Sequence, residues 1–464
     1  MSRSGPASAR AAWFADARAT LFLALPLAAT QLLEISLNTT DVIMVGWLGP
    51  EALAAVALGS VIQMLALMLC IGVAIAVSSL VSQARGGRTR HLTETRLAVR
   101  HGLWAVTVVG VPVAALLWNI APVLFWLGQD PALIPTVQGY VRAAVLGAVP
   151  AGWFTVMRSF LAAMERPRPG LVAMALAFVL NIGLNWLLIF GNLGFPALGA
   201  VGAGIASTVC NLASFLFLVG FVLVDRRARR SHVLGHVWRI DVRRLWHVLR
   251  LGAPIGLTLV LELGLFTSAA LLVGRIGADA LAAHQIALQV GSVTFMVTIG
   301  ISQATTVRVG YAYGAADRDG VRRAGQVGFA LAVVFMSCTA LTMAFFNTTI
   351  VSFFLDEADP AVADVARLAA QLLLFAAMFQ IVDGLQVVGQ GILRGLNDTR
   401  MALGIASVGY WLIGLPVSAL LSGPYGVQGV WMGFVIGISV VGVLCVARFL
   451  ALTRERTEPR LAAG

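Results

Sequence analysis

The sequence predicts an all-α polytopic membrane protein of about twelve transmembrane helices, arranged as two six-helix parallel repeats. Three observations carry that expectation. First, the 464-residue chain is 59% hydrophobic and only 11% charged, whereas soluble domains carry roughly 25% charged residues. Second, apolar blocks recur along the whole chain, each near or above the roughly 20 residues that cross a bilayer. Third, the second half repeats the first: "VGWLGPEALAAV" (45–56) and "VGRIGADALAAH" (273–284) share seven of twelve residues.

Taken in order, the apolar blocks predict helices over roughly 18–46, 52–82, 97–119, 133–161, 169–191, 199–224, 246–274, 280–307, 322–347, 361–393, 401–422 and 426–450. The longest polar connection, 225–245, reads "DRRARRSHVLGHVWRIDVRRL". It divides the chain into an N-terminal lobe (1–224), an Arg-rich cytoplasmic linker (225–245) and a C-terminal lobe with its tail (246–464). The register that aligns 45–56 with 273–284 also aligns Glu34 with Glu262, Pro26 with Pro254, and the "IG" at 71–72 with that at 299–300. Near the end of each repeat, "FLAAMERPRPG" (160–170) meets "ILRGLNDTRMA" (392–402). An even number of helices per repeat gives both halves the same orientation, about an axis along the membrane normal. Parallel repeats of this kind build transporters that rock around a central site.

The net charge of +11 would suggest a nucleic-acid partner in a soluble protein. Its placement excludes that reading. All basic side chains are arginine, and they gather in the two termini and in every second loop, near 85–100, 158–168, 226–250, 308–323 and 394–400. The alternate loops hold only Arg142, Arg275 and Arg367, with Glu51, Asp130, Asp279, Asp356, Glu357, Asp359 and Asp364. Arginine-rich loops stay cytoplasmic, so both termini are expected in the cytoplasm. The polar, Arg-dotted N-terminus leads into a full span and does not read as a cleavable signal.

Four carboxylates lie deep in apolar blocks: Glu34, Asp41, Glu262 and Asp383. Each costs roughly 2.5–3.5 kcal/mol at mid-membrane on insertion scales, so each is a functional candidate. Glu34, Asn38 and Asp41 are spaced i, i+4, i+7 on one helical face, and Asn181 and Asn185 share a face of the fifth helix. If the two faces meet, carboxylate and amide oxygens surround one site, which suits a hard cation such as Na⁺ or a proton on the carboxylate. Helix-to-helix hydrogen bonding by the asparagines fits the same spacing. Glu262 and Asp383 sit mid-helix, and Arg250 and Arg394, the nearest basic residues in sequence, are each about three turns away. Such acids attract cationic substrates or exchange protons. Pro26 and Pro254 each remove a backbone bond early in the first helix of a repeat and are the expected hinges, a static kink being the other reading.

Other polar features point to structure. Cys70, Cys210, Cys338 and Cys445 lie in apolar blocks without a CxxC pair, as small hydrophobes do, and neither metal nor cofactor is expected. His232 and His236 have ligand spacing but fall in the Arg-rich loop. "GAVGAGIAS" (199–207) reads as close helix packing. His284 reads as a structural hydrogen-bonder. Arg85, Arg88 and Arg90 read as an inside anchor.

On the residues "LALPLAATQLLEISLNTTDVIMVGWLG", "LAAHQIALQV" and "GILRGLNDTR", the chain resembles the multidrug and toxic compound extrusion family over nearly its whole length. The resemblance implies twelve helices in two lobes that form a V. It also implies an antiporter, not an enzyme, that exports bulky cationic or amphiphilic compounds in exchange for Na⁺ or H⁺. The chain is most similar to the NorM-like branch with acids in the C-terminal lobe. There Glu262 and Asp383 fall at cation and substrate positions, Asp41 at the first-helix acid, and Asn181 and Asn185 at polar fifth-helix positions. Glu34 departs from the pattern, where a neutral polar residue is expected. The partners implied are small cationic or amphiphilic substrates and the lipid bilayer, around a monomer. Two other readings fit less well. A lipid-linked oligosaccharide flippase of the same wider superfamily would show embedded basic residues, and an intramembrane aspartyl hydrolase would show a second aspartate motif.

Overall fold

The computed structural model describes residues 6–87, 89–355 and 362–454. Arg88, Asp356, Glu357 and Asp359 and the C-terminal tail fall outside the described residues. Among the described residues all regular structure is helical. The long helices are α1 (Pro6–Gly46), α2 (Pro50–Gly86), α3 (His91–Leu117), α4 (Ile134–Ala163), α5 (Arg168–Leu188), α6 (Ala200–Val224), α7 (Val242–Gly274), α8 (Ala278–Gly314), α9 (Arg318–Phe345) and α10 (Ala363–Gly395). The stretch Thr399–Arg454 breaks at Gly426, whose φ of 58° and ψ of −136° leave the helix. It therefore supplies α11 (399–425) and α12 (427–454), completing the twelve crossings. α4 is itself two helices, Ile134–Val145 and Ala148–Ala163.

α2 and α8, at 37 residues each, reach roughly 55 Å at ~1.5 Å per residue. That is well beyond the ~30 Å hydrocarbon core, so their ends stand in water. Large apolar side chains such as Leu116, Val179, Leu223, Leu271 and Phe345 are exposed on the spans, as a lipid face requires. Some buried polar groups are satisfied between helices. Ser302 donates to the Val387 carbonyl (2.7 Å) and Thr306 to the Gly391 carbonyl (2.8 Å), tying α8 to α10. Small residues let these backbones approach.

The contacts sort the chain into two compact units. One comprises Ala29–Leu257; the other comprises the residues up to Ala28 with those from Thr258 onward. In the first, Met44, Val45, Val56, Leu124, Val137, Tyr140 and Ile189 build a core. In the second, Trp431 packs edge-on against Phe434 and Phe379, and its Nε1–H donates to His284 Nδ1 at 3.1 Å. α1 and α7 each contribute one part to each unit, and each changes unit just beyond its proline, Pro26 or Pro254.

The aligned "IG" pairs now have a physical reason. Within one unit, a Cβ on Gly72 would lie 2.2 Å from Gly256 Cα; within the other, a Cβ on Gly300 would lie 2.6 Å from the Ala28 amide nitrogen. Gly72 matches Gly300 and Ala28 matches Gly256 in the repeat alignment. So α7 touches α2 backbone to backbone, and α1 touches α8 in the same way, each beside its proline.

A second repeated feature has its charges exchanged. Arg166 pairs with Asp225 in one unit, and Asp398 accepts from Arg448 Nε at 2.8 Å in the other; Arg166 and Asp398 align in the repeat. Asp225 also accepts from the Ala228 and Arg227 amides as the cap of a short helix, Arg226–Arg229. That Ala228 amide bond above all, with Arg166, holds its carboxyl below the usual carboxylate range against the effect of burial.

The small-residue run at 199–207 packs closely, as expected: Gly202 lies against the Leu188 carbonyl and Gly204 against Ala143 and the Tyr140 carbonyl. Two placements differ from the sequence expectation. Arg158, expected in a cytoplasmic loop, is buried inside α4. His232 and His236 are exposed as a solvated loop demands, but the linker that carries them is not free; it lies hydrogen-bonded along α3.

Candidate functional site

In the unit Ala29–Leu257, α1 brings Asp41 against α5 and α6. Asn181 and Asn185, one turn apart on α5, donate through Nδ2 to Asp41 Oδ1 at 2.9 and 2.5 Å. Ser207 Oγ, on α6, donates to Asp41 Oδ2 at 2.6 Å. Asn185 Nδ2 also reaches Asn181 Oδ1 at 3.1 Å, while Asn185 Oδ1 is buried without a hydrogen-bond partner. The spacing put Asn181 and Asn185 on one face of α5 and left open whether that face meets Asp41; here it does. Ser207 was missed; its signal was its place at the end of the small-residue run, which lets α6 approach. Asn38, on the same face by spacing, is exposed and is not among the hydrogen-bond partners of Asp41.

Glu34 lies elsewhere on α1 and faces Arg158. Arg158 Nη1 donates to Gln31 Oε1 at 2.7 Å and stands 3.7 Å from Glu34 Oε2. Its guanidinium lies 5.7 Å from the Phe154 ring centroid, and its stem packs on Gly170. The side chains are 7% and 36% exposed, so the arginine is buried and the carboxylate partly open. A carboxylate that is one-third exposed at this depth needs water at its surface, because lipid would not tolerate it.

In the other unit, α7 and α10 bring Glu262 and Asp383 together. Gln386 Nε2 donates to Glu262 Oε1 at 3.2 Å. Asp383 is 1% exposed. Its Oδ1 and the Oε1 of Gln386 are buried without a hydrogen-bond partner. Glu262 lies near enough for its charge to act on Asp383, and the charge of Arg394 reaches Glu262. Neither acid has an arginine within salt-bridge distance among the described residues. Arg394 Nη2 instead donates to Gln390 Oε1 (2.9 Å), and Gln390 Nε2 to Tyr410 Oη (3.2 Å).

Asp383, Gln386, Gln390 and Arg394 form a polar stripe along α10, with steps of three and four residues that keep one helical face. Opposite them, α11 widens into a π-helical turn over Ser407–Gly414, a local form frequent at functional sites. The turn brings Tyr410 onto Gln390 and Trp411 onto α7, where its Nε1–H donates to the Leu261 carbonyl at 3.1 Å. Gly264 leaves room for that ring, since a Cβ there would lie 2.8 Å from it.

Chemically, each unit holds at least one membrane-buried carboxylate whose hydrogen-bond partners are neutral amide or hydroxyl groups. In each, at least one acceptor oxygen lacks a donor. Leaving a buried acceptor unsatisfied costs roughly 1–3 kcal/mol, and a desolvated cation or a proton removes that cost. The donorless carboxylate and amide oxygens are of the type that suits hard cations.

The comparisons with known proteins agree with this architecture. The MatE family model matches residues 26–187 and 254–420. Both matched segments begin at the repeated prolines. A relative from Mesorhizobium japonicum, described as a probable multidrug resistance protein NorM, is 41% identical over 97% of each chain. One from Bradyrhizobium diazoefficiens with the same description is 41% identical over 94% of this chain and 93% of its own. Among solved structures, a mutant of the Vibrio cholerae MATE transporter VcmN superposes with a TM-score of 0.85 at 20% identity, covering 96% of this chain and 98% of that one. On its sequence and its all-helical fold, the chain belongs to the MatE family of membrane transporters.

Proposed function

We propose that the protein is a secondary active multidrug efflux antiporter that exports bulky cationic or amphiphilic compounds in exchange for Na⁺ or H⁺ by alternating access. The observation that carries the proposal is the pair of buried acids Glu262 and Asp383 beside two acceptor oxygens, Asp383 Oδ1 and Gln386 Oε1, that lack donors. Such a cluster takes up a coupling cation or a proton. A cationic substrate competing for the same carboxylates links the two fluxes. Asp41 with Asn181 and Asn185 supplies a second coupling position, and the donorless Asn185 Oδ1 supports it. Glu34 adds an acid whose charge Arg158 balances. Carboxylate and amide oxygens suit a hard cation such as Na⁺, and the carboxylate alone takes a proton. The NorM description of the relatives supports multidrug efflux.

In this reading the lobes 1–224 and 246–464 are the moving halves, the linker 225–245 joins them, and Pro26 and Pro254 are the hinges. The protein works as a monomer in the bacterial inner membrane with both termini cytoplasmic, and it needs no cofactor. The test is ethidium efflux from loaded proteoliposomes under an imposed Na⁺ gradient and, separately, a pH gradient. The expected result is efflux driven by one of the two. Folded protein that gives no gradient-driven efflux would instead favour the lipid-linked oligosaccharide flippase.

A further inference from the structure

The linker and the first turn of α7 are fastened to α3 by a compact set of bonds, all within the unit Ala29–Leu257. His101 is fully buried at its centre. Its Nδ1 lies 2.7 Å from the Leu97 carbonyl. The backbone N–H of Asp241 donates to its Nε2 at 3.0 Å. A carbonyl can only accept and a backbone amide can only donate. The two partners together therefore fix the neutral ring with its proton on Nδ1 and a lone pair on Nε2.

The bonds around it follow the same line. Arg100 Nη1 donates to the His236 carbonyl at 3.2 Å, and Trp104 Nε1 to the Val237 carbonyl at 2.8 Å. Trp238 packs edge-on against Trp104. Arg244 on α7 donates twice to Glu94 on α3, at 2.6 and 3.2 Å. Asp241 is also the residue whose side chain caps the start of α7, accepting from the Arg243 and Arg244 amides.

We propose that His101 is a positioning residue that docks the linker and the N-terminus of α7 onto α3 only while its ring is neutral, so that cytoplasmic acidification releases them. A proton on Nε2 would turn the acceptor into a donor aimed at another donor, the Asp241 amide. The bond is then lost and two N–H groups face each other. The charges that act on the ring are Arg100 from its own helix and Asp241 and Arg244 from the linker and α7. Arg96 and Arg239 crowd Arg100 in turn. A new imidazolium there adds to a cluster already rich in arginine. Asp241 cannot switch first, because the Arg244 amide holds its carboxyl below the usual range. The sign follows. Docking is retained at high pH, where the free imidazole is neutral, and is lost as pH falls through and below the ordinary histidine value of about 6.5. The device goes beyond the antiport reading, since it concerns the linker and needs no substrate or gradient to be seen.

The test is amide hydrogen exchange across 231–246, with the full-length protein in lipid nanodiscs at pH 8 and at pH 5.5. Each rate is divided by the intrinsic chemical rate at that pH. Wild type is expected to lose up to about tenfold of its protection at the lower pH, one pH unit below the histidine value. His101→Gln keeps an acceptor and cannot titrate, so its protection is expected to be equal at both. Trp104→Phe removes the bond to Val237 and should move the loss to higher pH, which keeps the proposal testable if the glutamine variant does not fold. Wild-type protection that does not change with pH overturns the proposal. So does a loss in His101→Gln as large as that in wild type.

Discussion

Replacing Asp41 by asparagine separates charge from structure. The carboxylate accepts from Asn181, Asn185 and Ser207. An asparagine Oδ1 can keep the two amide donors on one side. Its Nδ2 then faces Ser207 Oγ, which rotates to accept. Hydrogen bonds to a charged acceptor contribute about 1.5–3 kcal/mol and neutral ones about 0.5–1.5, so the three bonds together weaken by on the order of 3 kcal/mol. Against this, a buried charge disappears, and its desolvation costs several kcal/mol. The two terms oppose each other and are similar in size. The net change in stability should stay within about 2 kcal/mol, or several degrees in Tm for a unit of this size, while any flux coupled through Asp41 stops. Ethidium efflux under Na⁺ and pH gradients reads the second effect and thermal melting in detergent reads the first. A melting point lowered by more than about 10 °C, or unaltered coupled efflux, would refute the reasoning.

The glycine contacts predict a graded series. Gly72→Ala forces a Cβ to 2.2 Å from Gly256 Cα, and Gly300→Ala to 2.6 Å from the Ala28 nitrogen. Each should cost about 1–3 kcal/mol as overpacking. Gly183→Ala, with nothing within 4 Å, should be neutral or stabilise by about 0.5–1 kcal/mol; chemical-denaturation midpoints order the three. Glu34→Gln leaves Arg158 buried without its counter-charge, so it should destabilise more than the double variant Glu34→Gln with Arg158→Gln, a non-additivity that a double-mutant cycle measures. Asp225→Ala removes a helix cap and the partner of Arg166, and should lower stability by about 1 kcal/mol. The Asp225 carboxyl is held below its usual range, so its contribution is complete above the unfolded value of about 3.9. It disappears only as pH falls through the lower, folded value, and a melting series from pH 8 to pH 3 checks this.

Much of the fold was legible because a bilayer imposes simple rules. Apolar length located the crossings, and the aligned prolines and glycines revealed the repeat. Four expensive acids marked the candidate positions, and spacing gave Asn181 and Asn185 one shared face, without showing that it meets Asp41. What stayed hidden has physical causes. Ser207 is a common residue in membrane helices and carries no charge to betray it. Arg158 looked like part of an arginine-rich loop, because a helix end and a loop cannot be told apart by composition within a few residues. Gln386, Gln390 and Tyr410 are neutral and cost less to bury. The three-four-four spacing from Asp383 to Arg394 was nonetheless readable as one polar face. The docking of 225–245 onto α3 rests on backbone carbonyls and amides, which a sequence does not display.

The most direct measurement of the central claim compares wild type with Asp383→Asn in proteoliposomes, under imposed Na⁺ and pH gradients, with ethidium as the exported compound. One gradient should drive efflux from wild type, and the same gradient should drive none from a variant that melts within a few degrees of it. Equal efflux from both proteins, or gradient-independent efflux from wild type, would contradict the assignment of Asp383 and Glu262 as the coupling acids.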